Sequence, residues 1–484
     1  MKRSAALLTF AFLIGTSASA LAAATPEEAQ RLTTLFQAYL GKEPGVVTVT
    51  PNGDSYAARF DVKPLFAKIK EPGVSASLTP IEWSITDQGG GKWKVDQDQS
   101  LSFAFKVEGT VDMKGTIASV KGTGVFDEAL GTFASTAADY TQIAFEQVMI
   151  ESGQTSTVKY TVASVKSEST MTGTADAADG TSKYTYADFR ETVGITGAAD
   201  GSTSPMEFAI ASPGGMQDAT VKGLKPKALT DLAAWLVARP GKEAIVAEQA
   251  ALKDKLRAVL PVFSNISGTS SMDALTVNTM LGKFSMDKLD VLIDANGVVE
   301  NGAVREKFTF SGFKAPDGVI PPWAAGLVPA NMTIDVSVAD FNLAAPAAIM
   351  LDKLDLSKDP PLPPDMENEL LQALLPKGVV TIGIGASEFV AKIFDLKAEG
   401  SMTAGPVAMP AGQALLRLKG IDDIMAAIQA APPELGMGQV SPVVIVAKGM
   451  GKQDADGYMS WKIESTPTGS VTINGVDISK MGGQ

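Results

Sequence analysis

Three closely spaced pairs of acids, Asp287 with Asp290, Asp422 with Asp423 and Asp454 with Asp456, are the first candidates for chemistry in this sequence. A glycosidase needs two carboxyls flanking a sugar bond, and on strands that pairing is set by cross-sheet geometry rather than by spacing along the chain. Solvated turns and a helix start account for the same residues, since negative charge at Asp422 and Asp423 suits a helix N-terminus. The stretch DADG (454–457) alternates acids ahead of a glycine, but it lacks the further ligands and terminal Glu of a helix-loop-helix calcium site. It reads as a hairpin turn, and no metal site is expected.

Nucleophilic chemistry fares no better. SMDK (285–288) has the Ser-x-x-Lys spacing of penicillin-binding enzymes, yet it lies in a strand-like stretch without the accompanying Ser-Asp-Asn or Lys-Thr-Gly elements. Ser357-Lys358 and Ser479-Lys480 are adjacent, so their side chains cannot share a helical face. Gly89-Gly90-Gly91-Lys92 lacks the glycine spacing of a phosphate loop and precedes a strand. The chain contains neither histidine nor cysteine, which removes Ser-His-Asp triads, Cys-His pairs, histidine-ligated zinc and disulfides. No catalytic residue and no cofactor is assigned, and the expectation is a protein that is not an enzyme.

The elements that would position any site are mostly strands. Thr25-Pro26-Glu27-Glu28 opens a helix with the pattern of a capping box, and Leu32, Leu35, Phe36 and Leu40 fall on one face before Gly41. From about 46 to 210 the period is two. Leu101, Phe103, Phe105 and Val107 alternate with Ser102, Ala104, Lys106 and Glu108, and residues 157–167 alternate similarly. Gly-rich tracts at 87–92 and 178–182 read as connections. Residues 228–238 and 242–260 read as two helices broken at Pro240-Gly241. Strands are expected again at 274–280, 284–293, 304–313 and 331–343. After the extended tract KDPPLPPD (358–365) come a helix at 366–375, further strands from 379, and a helix at 421–430. Three closing strands follow at 443–448, 458–464 and GSVTINGVDISKM (469–481), where Asn474-Gly475 is a tight-turn signal.

The expected fold is mainly β (α+β), with extended antiparallel sheets and a few packed helices in two β-rich halves, 23–225 and 263–484, joined by a helical connector at 226–262. The segments at 81–107 and 443–473 share a strand, a Gly-rich turn and a Trp-Lys-Val/Ile strand, which places Trp93 and Trp461 in matching positions. Residues 1–22 have the order of a secretory signal: Lys2 and Arg3, an apolar run, then Ala20-Leu21-Ala22. Cleavage is expected after Ala22, with the periplasm as destination. That apolar run is too short to span a bilayer, so no stable membrane span is expected after cleavage. The formal charge of −13 and the scattered basic residues disfavour nucleic acid as a partner.

The ending, with G-x-V-x-x-N-G after a W-K-I strand, and the segment GPVAMPAGQALLRLKGIDDIMAAIQAAPP (405–433) resemble DUF2125, a family of uncharacterised secreted bacterial proteins. The resemblance implies a long β-rich chain behind a signal peptide and carries no catalytic residues. A looser likeness to AsmA-like periplasmic proteins implies elongated sheets that handle lipid. Met272, Met280, Met286, Met402 and Met409 lie near strands, where thioethers suit either a core or a groove for flexible apolar ligands. The expected function is therefore a periplasmic, non-enzymatic binding or scaffold protein for lipid or another apolar envelope ligand. The alternative is a histidine-independent, carboxylate-based hydrolase of cell-wall or glycan substrates.

Overall fold

The computed structural model describes residues 23–67, 72–197, 206–239 and 241–478. The leader, the pair Ser479-Lys480 and the last residues of the closing segment lie outside these. The chain begins with α1 (Pro26–Leu40), the hairpin of β1 (Val47–Asn52) and β2 (Ser55–Phe60), a turn of helix α2 (Lys63–Phe66), β3 (Val74–Leu78) and β4 (Ile81–Gly89). Six long strands follow: β5 (Lys92–Val107), β6 (Val111–Asp127), β7 (Thr132–Glu151), β8 (Gln154–Thr174), β9 (Ala177–Thr196) and β10 (Met206–Leu224). The helices α3 (Pro226–Val237), α4 (Lys242–Ala247) and α5 (Gln249–Val259) lead into β11 (Asn265–Asp273), β12 (Thr276–Thr279), β13 (Gly282–Ser285), β14 (Lys288–Asn296), β15 (Gly302–Ser311) and β16 (Pro329–Phe341). After α6 (Ala344–Lys353) and α7 (Glu367–Leu374) come β17 (Val380–Ala391), β18 (Asp395–Ala404), β19 (Ala411–Lys419), α8 (Ile421–Gln429) and α9 (Val440–Met450). The chain closes through β20 (Lys452–Gln453), β21 (Met459–Ser465), β22 (Val471–Ile473) and β23 (Val476–Asp477).

All the strand pairs are antiparallel and join one open sheet. It runs β1-β2-β4-β5-β6-β7-β8-β9-β10, continues with β11 and β12 end to end along β10, and then goes β14-β15-β16-β17-β18-β19-β21-β22-β23. β3 shares the free edge of β5 with β4, β13 pairs with β12, and β20 lies beside β22 along β21. Pairing therefore passes without a gap from the strands before the α3–α5 helices to those after them.

The helix expected at the start is present. Thr25 Oγ1 accepts the Glu28 N–H, but only half of the capping box forms: the Glu28 carboxylate turns to Arg31, and the Thr25 N–H donates to the Tyr56 hydroxyl. α1 packs on β1, β2 and β4 with Leu32, Val47, Tyr56, Phe60, Ile85 and Trp93 in the buried cluster. Burying large aliphatic and aromatic side chains here stabilises the end of the sheet by about 1.5–3 kcal/mol each.

Four sequence expectations are corrected. Residues 443–448 form part of helix α9, not a strand. Both edges of β19 are already taken by β18 and β21, so a strand there would lack a partner, while Pro442 is tolerated in a first helical turn. The equivalence of residues 81–107 with 443–473 falls with it, since a helix stands where the first segment has a strand. The tract at 178–182 lies inside β9, with Gly180 set between Met171 and Val221, whose side chains occupy the space a Cβ would need. Residues 284–293 belong to two strands, with Met286 and Asp287 between them. β11 and α6 were not anticipated: the Ser-rich β11 has no clean alternation, and α6 carries an internal proline.

Candidate functional site: an apolar sheet face

Residues directly opposite one another in a ladder share a face of the sheet. One such row reads Val120, Tyr140, Val165, Tyr186, Gly215, Met272, Leu289, Phe310, Met332, Phe389, Leu396, Leu418 and Met459, from β6 to β21. Its twelve inter-strand gaps correspond to a contour of about 58 Å, roughly twice the hydrocarbon thickness of a bilayer.

Further rows widen this line into a band. Below it, on β5 to β9, lie Leu101-Ile117-Ile143-Val162-Phe189 and Phe103-Gly115-Phe145-Tyr160. Phe145 stacks on Tyr160 at 4.9 Å, and Phe103 reaches to 6.2 Å from Phe145 across Gly115, where a Cβ would meet the Phe103 ring at 2.3 Å. Above the line, on β14 to β19, lie Val291-Phe308-Ile334 and Ala295-Val304-Val338-Ile382-Met402. Gln147, Glu191 and Glu306 interrupt the face. Above the line on β6 to β9 it is small and hydroxylic instead, with Thr136 bonded to Ser169 at 2.6 Å. The band thus runs diagonally.

A crease keeps these rows on one side. Gln142 and Asp188 have φ of 52° and 51°, and the ladder omits the pairs at Ala118, Gln142, Ala163, Asp188 and Pro213. Such a residue turns the strand over, so side chains three apart meet on the same face; the rings of Tyr186 and Phe189 lie 6.2 Å apart. Pro213 sits where no ladder bond is needed, the position in a central strand that proline tolerates. The signal was in the sequence as IASV, YTQI, VASV and YADF, which begin at 117, 140, 162 and 186 on successive strands. A strict period of two passes over it.

The reverse face is polar. Asp290-Thr309-Thr333 leads to Glu388-Lys397-Arg417-Ser460, and Lys114, Lys159 and Glu146 pair on β6 to β8. On the apolar face Phe103, Ile293, Val338, Ile384 and Met402 are exposed. The molecule has 28861 Å² of accessible surface, whereas a compact chain of this mass would have about 17,000 Å². The full unfolded-chain area of the undescribed residues, about 6,000 Å², would supply only half of that excess. Helices close the two ends of the face: α1 covers Trp83 and Trp93, and α9 covers Trp461, whose Nε1 donates to the Ala447 carbonyl at 2.7 Å.

The acids singled out by spacing are engaged elsewhere. Asp290 pairs with Lys288 at 2.8 Å, and Asp422, at the start of α8, pairs with Lys448. Asp287 stands over Gly312 at the crease. DADG is a turn in which Asp454 accepts the N–H groups of Asp456 and Tyr458 and two bonds from Arg417, through Nε and Nη2, while Asp456 takes a third Arg417 bond at 3.0 Å. Burial pushes the Asp454 pKa up, but the Arg417 guanidinium and the Tyr458 and Asp456 N–H groups together outweigh it and hold the carboxyl below its ordinary value. Among the described residues no three acids converge on a point that could hold a metal ion. Ser285 and Lys288 lie on separate strands, and Gly89-Gly90-Gly91 form the β4–β5 turn, each with positive φ. Met272 and Met402 lie on the apolar band, Met286 is half-buried between β13 and β14, and Met280 and Met409 are exposed in connections.

No family model, curated protein or solved structure matches the chain.

Among the described residues no helix is long and apolar enough to cross a membrane. A shallow depression of about 350 Å³ lies beside the band, lined by Phe313, Ile320, Val328 and Val390.

Proposed function

We propose that this chain is a periplasmic, non-enzymatic carrier that holds the acyl chains of envelope lipid along the apolar face of its sheet. The observation that carries the reading is the register row from Val120 to Met459, apolar at every position except Gly215, half-buried along most of its length and flanked by rows that expose Ile293, Ile384 and Met402. Water against such a face costs about 25 cal/mol for each Å², and a flexible hydrocarbon chain relieves that cost without directional bonds. The methionines on the band suit ligands of varied shape.

The same reading takes the chain as two β-rich halves of an α+β protein, 23–225 and 263–484, about the connector 226–262. The apolar band widens below the Val120–Met459 line in the first half and above it in the second. It also takes residues 1–22 as a cleaved signal and keeps the family likeness to DUF2125 as the relationship to be tested. A carboxylate-based hydrolase has less support, because Asp290, Asp422, Asp454 and Asp456 each face a cation.

The test is mass spectrometry of the protein purified without detergent after export in a bacterial host. Acyl lipid should copurify, and a fluorescent fatty-acid probe should be taken up by delipidated protein. A lipid-free preparation that also fails to take up the probe would sink the reading.

A further inference from the structure

We propose that the crease is a hinge, on which the lower leaf of the sheet closes over an acyl chain lying against the upper leaf. This rests on the acyl-carrier reading and adds the movement that encloses the ligand. The crease continues in register from Pro213 through Ala274, Asp287 and Gly312, so that it crosses from β6 to the end of β15. Every second residue on this line has a positive φ: 52° at Gln142, 51° at Asp188, 43° at Ala274 and 66° at Gly312. Three of these four are not glycine, and such angles persist only where the surrounding fold imposes them.

The fold along this line is concave toward the apolar side. Val120, Val162, Ser212 and Leu275 are buried in the middle of the sheet, and each lies within two residues of the crease. Among the described residues no helix packs closely on β6, β7 or β8, so the burial there comes from the two leaves facing each other. Farther from the line on the same face, Phe103 and Met149 of the lower leaf and Tyr184 of the upper leaf are exposed. A covered floor thus lies between two open apolar walls.

The lower leaf comprises residues 101–117, 143–162, 189–196, 206–212 and 275–285, and its strands stay paired with one another, as do those of the upper leaf. Between the leaves Ala118, Gln142, Ala163 and Asp188 make no ladder pairs. A change in their φ and ψ therefore tilts one leaf on the other without parting either ladder. Proline fixes φ at 213, and there the Ser212 hydroxyl takes the place of the ladder. It lies 2.8 Å from the carbonyl oxygens of both Gly214 and Asp273, a tether from the lower side of the line to the upper that turns with the hinge.

The experiment measures the separation of spin labels at Ser152→Cys and Glu168→Cys in the full chain, which has no cysteine of its own. Both positions are exposed, Ser152 in the β7–β8 turn of the lower leaf and Glu168 on the upper leaf. At about 3.3 Å for each residue the arms from Ala163 are about 36 and 16 Å long, so a swing of about 20° shortens the separation by about 2–5 Å. Palmitate should produce that shortening, with its binding followed in parallel by displacement of a fluorescent fatty acid. Gln142→Gly with Asp188→Gly keeps the positive angles accessible and should shorten likewise. Gln142→Val with Asp188→Val disfavours those angles and should lose the shortening; if that pair fails to fold, the wild type and the glycine pair decide. Palmitate bound with no change in separation would overturn the hinge while the carrier reading stands. A valine pair that shortens like the wild type, or a glycine pair that does not shorten, also overturns it. Absence of palmitate binding would instead refute the carrier reading, and the hinge with it.

Discussion

The Arg305 guanidinium grips the Asp335 carboxylate with two bonds, Nε to Oδ1 at 2.8 Å and Nη2 to Oδ2 at 2.6 Å, at a bulge where β16 leaves its register on β17. Asp335 is buried, its own N–H donates to the buried Ser387 hydroxyl, and Gly385 leaves the room its carboxylate occupies. Two-pronged guanidinium pairs fix geometry as well as charge. Asp335→Ala removes both bonds to Arg305 while the backbone N–H bond to Ser387 stays, so urea unfolding should show a loss of about 1–3 kcal/mol. An unchanged midpoint would mean that the bulge does not depend on this pair.

The same pair sets an acid limb. The Arg305 hydrogen bonds hold the Asp335 carboxyl below its ordinary value, against a smaller opposing push from burial. A folded-state pKa below the unfolded one gives stability that is present above the unfolded value, about 3.9, and is lost as pH falls through the folded value. As pH falls through the unfolded value and below it, the wild type should therefore lose more stability than Asp335→Asn. Parallel acid titrations followed by circular dichroism would decide the matter, and curves of equal slope would contradict it.

Ile384 and Val338 are exposed on the apolar face, so a charge at either can be introduced without emptying a core. Ile384→Asp removes apolar area from the proposed binding track and sets a carboxylate against acyl carbon. The lost burial of one large side chain is about 1.5–3 kcal/mol, or about 10- to 100-fold in affinity for a fatty-acid probe. Ser401→Asp, on the reverse face opposite Gly383 and Gln413, should bind as the wild type does. Equal loss in both variants would point to general damage rather than to a face-specific site.

Much of the sheet was legible in the sequence because alternation is a local property. Leu101, Phe103, Phe105 and Val107 do share the apolar side, and α1, α8 and the Asn474-Gly475 turn stand where caps and turn residues place them. Legibility failed where a decision was not local. The run at 443–448 has the composition of a strand, but whether it pairs depends on β21 having taken the edge of β19 first. The crease escaped because its sign, apolar residues three apart at 117 and 120, 140 and 143, 162 and 165, and 186 and 189, breaks the period of two, and the positive φ of Gln142 and Asp188 that causes it shows only in the backbone. The site was the least legible part, since its residues come from thirteen strands and meet only through register. Spacing drew attention to acids instead, and Asp454 and Asp456 prove to be held by Arg417, a residue far from them in the chain.

Glycines at close approaches should separate sharply from those in open space. A Cβ on Gly215 would come 2.2 Å from the Ser271 carbonyl oxygen, whereas one on Gly194 meets nothing within 4 Å. Gly215→Val has to push back the backbone of β11, an overpacking that costs about 1–3 kcal/mol. Gly194→Ala should be neutral or slightly stabilising by reducing unfolded-chain freedom. Denaturant midpoints for the two variants test the local register of β10 on β11, and a neutral Gly215→Val would show that those strands separate more easily than their pairing implies.

Asn474 ties the closing hairpin to the last helix. Its φ of 51° and the 84° of Gly475 make the tight turn between β22 and β23, and its side chain reaches out of the turn. Nδ2 donates to the carbonyls of Met450 and Ser460 at 2.8 and 3.0 Å, and Oδ1 accepts the Lys462 N–H at 2.9 Å. The turn therefore joins the C-terminus of α9 to β21. Asn474→Gly keeps the turn geometry and removes the three bonds, while Gly475→Val keeps the bonds and strains the turn. If the side chain fastens α9, Asn474→Gly alone should raise amide exchange at the end of α9, with a loss of about 1–3 kcal/mol. Exchange rising equally in Gly475→Val would assign the effect to the hairpin and leave Asn474 as a turn residue only.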